Sequence, residues 1–366
     1  MIKYRKPIKL LAINCLVILT LLITPGLILI AVEILNNNPK ALRSSASGKY
    51  PGIVGNMPPL RFDYVSYVGW KPLPVRSEVL NIDPVFRSRY TNNKPVDIGS
   101  QKIWFFGGST IFGHLVSDSS TIPSYYQQFS GDESANFGQS GWSSRQSLNE
   151  FITLISSSNF PRKIVFYDGV NDVMHPCRTE HSIVPSHGRA SYLIFTHGRH
   201  NQAKITYEFL FEYIFLRPYK QFAQQFNSFL NSAYIPYDCH INSQKAQAIV
   251  DNWYQNWLTA YILAKSVGSE AIFILQPTLY STSSSLAQLI EHPEYSETAR
   301  LQIVFLYDLF KSTVKTNCSV ASAFCKSIHF GDKWLLGHDH VFIDDHHITP
   351  EGNERISQKI YSILSE

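Results

Sequence analysis

The stretch Phe105-Phe106-Gly107-Gly108-Ser109-Thr110-Ile111-Phe112-Gly113 (FFGGSTIFG) follows an apolar run, Lys102 to Phe106, that is typical of a buried strand. A strand that ends in two glycines and a serine can continue into a phosphate-binding loop, a plain turn, or a nucleophile held at the strand end. A phosphate-binding loop needs the spacing GxxxxGKS/T or GxGxxG, and this stretch has neither. The GxSxG elbow of α/β-hydrolases is absent as well, because Ile111 stands two residues after Ser109. A turn and a nucleophile remain open.

The rest of the chain alternates apolar runs with helical patterns. Further strands are predicted at 134–137, 163–167 and 271–275, and long helices at Ser144–Ser157, Ser243–Val267, Ser296–Val314 and Pro350–Leu364. Because these strands are apolar throughout and alternate with helices, they predict an α/β fold, a three-layer doubly wound parallel sheet with helices on both faces. Sites in such sheets form beyond the carboxyl ends of the strands.

Three polar loops with glycine follow three of the predicted strands. They begin at Ser109, at Gly138 (GQSG, after Phe137) and at Gly169 (GVND, after Tyr167). A serine nucleophile also needs a base and an acid that orients it. The segment 342–353, FIDDHHITPEGN, offers both, since a neutral histidine takes a proton near pH 7 and a carboxylate can hold its ring.

These four blocks, in this order, resemble the SGNH, or GDSL-like, hydrolase superfamily. The matching residues are Gly107-Gly108-Ser109-Thr110, Asn136-Phe137-Gly138-Gln139-Ser140-Gly141, Gly169-Val170-Asn171-Asp172 and Asp344-Asp345-His346-His347 with Thr349-Pro350-Glu351-Gly352-Asn353. Each block alone is a weak signal, but together they span most of the chain. The first block departs from the family's pattern by reading GGST where GDS is usual.

The resemblance implies a flavodoxin-like SGNH hydrolase fold and a role for each matching residue. Ser109 would be the nucleophile, His347 the general base and later the acid, and Asp344 the group that orients His347. The oxyanion hole would be formed by the backbone N–H groups of Ser109 and Gly141 with the side chain of Asn171. Only Asp344 and His347 have the Asp-x-x-His spacing of the family.

Other interpretations of these residues remain. Ser109, Gly141 and Asn171 could be turn residues, and Trp142 could belong to the core or line the pocket. A dense cluster near the C-terminus could bind a metal, although it has no HExxH or comparable spacing; it comprises His338, Asp339, His340, Asp344, Asp345, His346 and His347. The superfamily needs no metal, so we expect no metal and no cofactor.

The N-terminal segment predicts a membrane anchor. The 23 residues from Leu10 to Val32 carry no charge, and a helix needs roughly 20 apolar residues to cross a bilayer. This run is longer than the apolar core of about 7–15 residues in a cleavable signal peptide. The basic residues before it would stay in the cytoplasm, which places the remainder in the periplasm or outside the cell as a single-pass protein.

Composition and cysteine content agree with an exported globular protein. Charged residues make up 16% and aromatic residues 13% of the chain. Beyond residue 35 the basic and acidic residues nearly balance, so no nucleic-acid partner is expected. Four cysteines lie in the exported part and allow three pairings. We favour Cys318–Cys325, which are close in sequence, and then Cys177–Cys239; four unpaired thiols are the alternative.

We therefore expect three regions: residues 1–35 as cytoplasmic tip and anchor, 36–100 as linker and lead-in, and 101–366 as the hydrolase domain with an aromatic-rich insertion at 174–240. The expected function is hydrolysis of an ester through an acyl-enzyme. The favoured substrate is an O-acyl or O-acetyl ester of extracellular or cell-envelope carbohydrate.

The alternatives are a lipase or thioesterase, a glycan O-acyltransferase, and a glycan-binding module with a relic site. A transferase would need a multi-span partner, because a single span cannot deliver an acyl donor across the membrane.

Overall fold

The computed structural model describes residues 42–43, 52–95, 97, 99, 102–156, 160–178, 237–282, 296–318 and 322–365. The predicted anchor Leu10–Val32, residues 36–41 and 44–51 of the predicted linker and lead-in, and residues 179–236 of the predicted insertion lie outside this part of the chain. Within the described ranges, no helix has the length and apolar character needed to cross a membrane.

The described elements follow the predicted alternation. The strands are β1 Leu42–Arg43, β2 Asn56–Met57, β3 Phe62–Val65, β4 Gly69–Pro72, β5 Ile103–Gly107, β6 Ser134–Asn136, β7 Lys163–Asp168, β8 Glu270–Leu275 and β9 Ile328–Phe330. The helices are α1 Ser109–Phe112, α2 Ile122–Ser130, α3 Ser144–Ile155, α4 Val170–Met174, α5 Ser243–Ser266, α6 Leu279–Thr282, α7 Glu297–Asn317, α8 Ser322–Lys326 and α9 Pro350–Ser365. All four predicted strands and all four predicted long helices are present, with ends that differ by three residues at most. The sequence had not predicted α2 or β9.

Five parallel strands form the central sheet in the order β6-β5-β7-β8-β9. The chain runs outward from β5 to β6, then crosses back over β5 to β7 and continues to β8 and β9. The predicted doubly wound parallel sheet is therefore confirmed. Its direction reverses at β5, and the loops that follow β5 and β7 open a crevice there.

The helices form two groups that cover the two faces of the sheet. Helices α2 and α9 pack on each other, whereas α3, α5 and α7 pack in series. The crossovers from β5 to β6 and from β6 to β7 run in opposite directions, and since parallel crossovers are right-handed, α2 and α3 lie on opposite faces. This arrangement gives the three layers.

Aromatic rings from neighbouring strands form a continuous row through the core. Phe106 of β5 stacks on Phe137 at 5.4 Å and on Phe166 of β7 at 5.1 Å, and Phe166 stacks on Phe273 of β8 at 5.1 Å. All four rings are buried. Stacked rings of this size contribute burial energy and fix the register of the strands that carry the site.

The lead-in before the sheet is more regular than the sequence indicated. Strands β3 and β4 form an antiparallel hairpin. Beyond it, the backbone N–H of Arg89 donates to the carbonyl of Asn136 at 3.1 Å, at the outer edge of β6. Two buried ion pairs, Lys71–Glu150 at 2.6 Å and Arg89–Asp118 at 2.7 Å, join the lead-in to the sheet domain.

Both favoured cysteine pairings are present, Cys177–Cys239 and Cys318–Cys325. The first joins the two described ends of the predicted insertion. Beside it, the N–H of Asp238 donates to the carbonyl of Cys177 at 3.0 Å, and Arg178 pairs with Tyr237. The insertion therefore leaves and re-enters the domain at one point, between α4 and α5.

Candidate active site

Ser109 lies where β5 ends, as the first residue of the single-turn helix α1. Glycine is required before it because the backbones pack closely: a Cβ on Gly107 would collide with the carbonyl oxygen of Tyr167 in β7. The segment Asn136–Gly141 is hydrogen-bonded to the same strand end, because the backbone N–H of Gln139 donates to the carbonyl of Gly107 at 3.0 Å. Ser109 itself is almost wholly buried, with 7% of its surface exposed.

The structure brings Ser109, His347 and Asp344 into a hydrogen-bonded row. Nε2 of His347 lies 2.7 Å from Oγ of Ser109, and Nδ1 of His347 lies 2.5 Å from Oδ2 of Asp344. The other carboxylate oxygen of Asp344 accepts the backbone N–H of His347 at 2.7 Å and that of His346 at 2.9 Å. These bonds form a tight turn, which explains why a three-residue spacing places the carboxylate against the ring.

The charges in this row suit proton transfer. Burial opposes ionisation of Asp344, but the adjacent His347 and His346 outweigh it and hold the pKa of the carboxyl well below its usual range. Burial, and then the neighbouring His346, lower the pKa of His347. Near neutral pH the carboxyl is therefore ionised and His347 is neutral, so that Nδ1 donates to Asp344 and Nε2 is left to accept from the serine hydroxyl.

Asn171 and Gly141 lie beside the strand end that carries Ser109. Asn171 is in the first turn of α4, directly after β7, and donates through Nδ2 to the carbonyl of Trp142 at 2.9 Å. A Cβ on Gly108 would lie 2.6 Å from Nδ2 of Asn171 and 3.3 Å from the Trp142 carbonyl oxygen. The amide of Asn171 is thus in direct contact with the loop of Gly141 and Trp142 and with Gly108, the residue before Ser109. Gly141 has a left-handed φ of 77°, which favours glycine.

Trp142, whose place the sequence left open, belongs to the packed scaffold. Its side chain is buried, and Nε1 donates to the carbonyl of Trp70 at 3.1 Å. In return, the indole N–H of Trp70 reaches the carbonyl of Ser140 at 3.3 Å. The hairpin of the lead-in therefore holds the glycine loop from outside, an arrangement that no motif in the sequence signalled.

A buried amide joins the serine turn to the histidine loop. Nε2 of Gln276, just beyond β8, donates to Oγ1 of Thr110 at 2.7 Å and lies 3.4 Å from the carbonyl oxygen of His346. Oγ1 of Thr110 also donates to that carbonyl at 3.3 Å. Sequence reasoning missed Gln276; the one available signal was a polar residue directly after a buried strand.

Two more histidines lie against His347. The ring centroid of His114 is 4.6 Å from that of His347, and the ring centroid of His346 is 4.0 Å away on the same loop. Nδ1 of His346 in turn lies 2.5 Å from Oδ1 of Asp345. Sequence reasoning assigned no catalytic role to His114, and it placed Asp345 and His346 only in the cluster that could bind a metal.

Among the described residues, one grouping has donor atoms close enough to hold a metal ion: Asp344, His346 and His347, with atoms within 4.8 Å of one another. The Nδ1 atoms of both histidines face carboxylates, and Nε2 of His347 faces Ser109. As arranged, these atoms take part in hydrogen bonds. The wider cluster that includes His338 and His340 does not converge on this point.

No protein-family model and no curated protein matches the sequence. Similar solved structures include a lipolytic protein of the G-D-S-L family from Desulfitobacterium hafniense, with 11% identity, a TM-score of 0.41, and coverage of 72% of this chain and 99% of that one. Another G-D-S-L family protein, from Veillonella parvula, has 14% identity, a TM-score of 0.40, and coverage of 72% and 98%. An acetyl xylan esterase has 12% identity, a TM-score of 0.37, and coverage of 72% and 98%.

Proposed function

We propose that this chain is a serine esterase of the SGNH type, in which Ser109 attacks the ester and forms an acyl-enzyme. The observation that carries the proposal is the hydrogen-bonded row from Ser109 Oγ to His347 Nε2 at 2.7 Å and from His347 Nδ1 to Asp344 Oδ2 at 2.5 Å. A nucleophile, a base and a group that orients the base, all within hydrogen-bond reach, form the arrangement that acyl transfer requires.

The reaction has two halves. Oγ of Ser109 bonds to the ester carbonyl carbon while His347 takes the hydroxyl proton, and the carbonyl oxygen becomes an oxyanion. The backbone N–H groups of Ser109 and Gly141 and the amide of Asn171 would donate to that oxyanion. His347 then returns the proton to the leaving alcohol, and the acyl group stays on Ser109. Water, deprotonated by His347, adds to the acyl carbon and releases the carboxylic acid and the free serine.

The proposed substrate is an O-acyl or O-acetyl ester of extracellular or cell-envelope carbohydrate. Two features of the sequence support it: the apolar segment Leu10–Val32 as a single-pass anchor, and the aromatic-rich insertion 174–240, since aromatic faces stack on sugars. The catalytic domain would then face the periplasm or the exterior. Fractionation of cells that produce the full chain, followed by protease treatment of intact spheroplasts, tests this placement; recovery in the cytosolic fraction would contradict it.

The direct test of the nucleophile is labelling of the full chain with a fluorophosphonate, located by peptide mass spectrometry, alongside turnover of p-nitrophenyl acetate. Label is expected on Ser109 alone. Ser109→Ala and His347→Ala should each lose turnover by about 10³-fold or more. Ser362→Ala and His340→Ala are matched controls on exposed positions and should retain it. A folded wild-type chain without label or turnover would leave a binding module with a relic site as the better interpretation.

The same acyl-enzyme could pass its acyl group to a sugar hydroxyl in place of water. Incubation of the enzyme with an isotopically labelled acetyl ester and an acceptor glycan separates the two outcomes. Release of free acetate supports the esterase, whereas label on the glycan, without free acetate, would replace it with a transferase.

A further inference from the structure

The ring of His347 is in contact with two other imidazoles that the proposed mechanism does not use. His346 lies 4.0 Å away between ring centroids with an interplanar angle of 40°, and His114 lies 4.6 Å away at 37°. One comes from the histidine's own loop and the other from the turn after α1. Any charge on either ring therefore acts on His347 at close range.

The two neighbours differ in their partners. Nδ1 of His346 is paired with Oδ1 of Asp345 at 2.5 Å and lies 3.7 Å from Oδ1 of Asp344. His346 and Asp345 are only about one-fifth exposed, at 20% and 23% of their side-chain surface. His114 lies against His347 on the serine side, with the buried guanidinium of Arg89 among its electrostatic neighbours. His346 thus has a carboxylate hydrogen-bonded to its ring to support a positive charge, whereas at His114 burial and the charges of His347, His346 and Arg89 oppose one and outweigh the attraction of Asp344.

Hydrogen bonds to the backbone carbonyls hold the pair of His346 and Asp345 in place. The carbonyl of His346 accepts hydrogen bonds from the side chains of Thr110 and Gln276, and the carbonyl of Asp345 accepts the N–H of Leu279 at 2.9 Å. These partners belong to the serine turn and to the segment after β8. The position of His346 against His347 is therefore set by the same elements that set the position of Ser109.

We propose that His346 is a positioning residue for the base: paired with Asp345, it holds a positive charge against the ring of His347 and so keeps His347 unprotonated and able to accept the proton of Ser109. This inference rests on the proposed function, since it concerns the base of the same reaction. The pair of His346 and Asp345 acts through the ring of His347, which it contacts, and takes no part in the proton transfer itself.

The charged and titratable groups around His347 explain why a positive charge is needed to keep it unprotonated. Asp344 and Asp345 both favour its protonated form, and among the described residues that face it, His346 is the group that most strongly opposes protonation. Against burial, the charge of Asp344 and the hydrogen bond with Asp345 raise the pKa of His346 to about 9. Burial, followed by the neighbouring His347, lowers the pKa of His114 to about 4. At neutral pH the only charged ring of the three is that of His346.

The experiment measures the rate of fluorophosphonate labelling of Ser109 between pH 4 and 9 by intact mass, on the full chain. The acid limb of this profile reports protonation of the base and does not depend on the natural substrate. In His346→Gln the positive charge is lost, and the limb is expected to move to higher pH by about half a unit or more. His346→Lys keeps a charge and should retain the wild-type limb within about 0.2 unit. His114→Gln removes the other neighbouring ring and should shift the limb less than His346→Gln does.

A double variant tests whether a shift in His346→Gln arises only because the charge of Asp345 is left without its partner. Asp345→Asn with His346→Gln removes both charges of the pair and leaves two amides that can bond to each other. Because the influence of His346 on the pKa of His347 exceeds that of Asp345, the limb should still lie above that of the wild type. This variant also serves if the single change to Gln does not fold.

The outcomes separate the two proposals. The acid limb of the labelling profile could lie at the same pH in wild type and His346→Gln, or move equally in His346→Gln and His346→Lys. Either result would overturn the role of His346 and leave the esterase proposal intact. A uniform loss of rate at every pH would indicate a purely structural role and would also overturn it. A wild-type chain that takes no label at Ser109 would overturn the esterase, and the role of His346 with it.

Discussion

Gly108 has no side chain because the amide of Asn171 occupies the space that one would need. An added Cβ would lie 2.6 Å from Nδ2 of Asn171, closer than real Cβ contacts come. The atom it meets is the end of a flexible side chain, so an alanine can be accommodated if Asn171 moves. The consequence should therefore appear in catalysis more than in stability.

Gly108→Ala is expected to lower turnover of p-nitrophenyl acetate by up to about 10²–10³-fold, because it displaces Asn171, one donor of the proposed oxyanion hole. Asn171→Ala should lose a similar factor. In the Asn171→Ala background the change at Gly108 should have little further effect, since the displaced group is already gone. Turnover numbers of the four chains, with circular dichroism to check folding, measure this cycle; fully additive losses would contradict the contact as the cause.

At the same scale, the sequence predicted some site contacts and not others. The pair Asp344–His347 was predictable because the three-residue spacing and the backbone bonds to Asp344 close a local turn. His114 follows the serine by only five residues, but its contact with His347 depends on how two distant loops meet. No local sequence pattern predicts the contact between these loops. None predicts the pairing of His346 with Asp345 either.

At the element scale, a carboxylate from one helix occupies the start of another. Both oxygens of Asp172 in α4 accept the backbone N–H of Ser144 at 3.0 Å, and Oδ1 also accepts the Ser144 hydroxyl. That N–H belongs to the first turn of α3, whose leading N–H groups have no partner within the helix. Asp172 thereby links the segment Gly169–Asp172 to α3, the helix that follows Gly141. This link keeps the two candidate oxyanion donors, Gly141 and Asn171, close to each other.

The burial of this carboxyl group makes stability depend on pH in a definite direction. Burial raises the pKa of Asp172 from 3.8 to about 7, although hydrogen bonds from Ser144 oppose the shift. A raised pKa means that the folded chain holds the proton more tightly than the unfolded chain. This contribution to the free energy of unfolding is thus complete below pH 3.8 and is lost as the pH rises through about 7.

The test compares wild type with Asp172→Asn by urea unfolding at several pH values. The free energy of unfolding of the wild type, relative to that of the variant, should fall steadily from pH 4 to pH 8. Asp251→Asn makes the same chemical change at an exposed position of α5 and separates the effect of burial from that of removing one negative charge. A difference that stays constant across this range would contradict the assignment.

One fully buried arginine joins the lead-in to the end of the sheet that carries Ser109. Arg89 donates to Oδ1 of Asp118 at 2.7 Å and to the carbonyls of Phe112 and Val116 at 2.8 and 2.6 Å. Both members of the pair have no exposed side-chain surface. The sequence shows only an arginine in an irregular segment, because the burial of that residue depends on packing between segments that are distant along the chain.

Arg89→Met is expected to lower the free energy of unfolding by about 3–5 kcal/mol, because it leaves a buried carboxylate without its counter-charge. The double variant Arg89→Met with Asp118→Leu should recover part of the loss. Arg355→Met breaks an exposed pair with Glu351 and should cost less than about 1 kcal/mol. If Arg89→Met costs no more than Arg355→Met, the buried pair does not hold the lead-in.

At the scale of the whole molecule, the fold class was predictable because apolar strands alternate with helices from residue 102 onward, on both sides of the insertion. The strand order required the structure, since periodicity does not state which strands are neighbours. Strand β9 was missed because three residues, Ile328–Phe330, carry too short a pattern. The hairpin β3–β4 was missed because its residues face partly outward and lack a regular alternation.

The position of the insertion leads to the last prediction. Cys177 and Cys239 are buried and bonded, so the chain on either side of residues 179–236 is already closed. Replacing 179–236 with a short Gly-Ser link would leave α4, α5 and the row from Ser109 to Asp344 as they are. The variant should fold and take fluorophosphonate at Ser109 within about threefold of the wild-type rate, since loop length alone changes closure entropy only slowly. If the insertion recognises carbohydrate, deacetylation of an acetylated glycan should fall much further than turnover of p-nitrophenyl acetate. Equal losses of turnover on both esters would show that the insertion takes no part in substrate recognition. A chain that no longer folds would show that the domain depends on residues 179–236 despite the disulfide between Cys177 and Cys239.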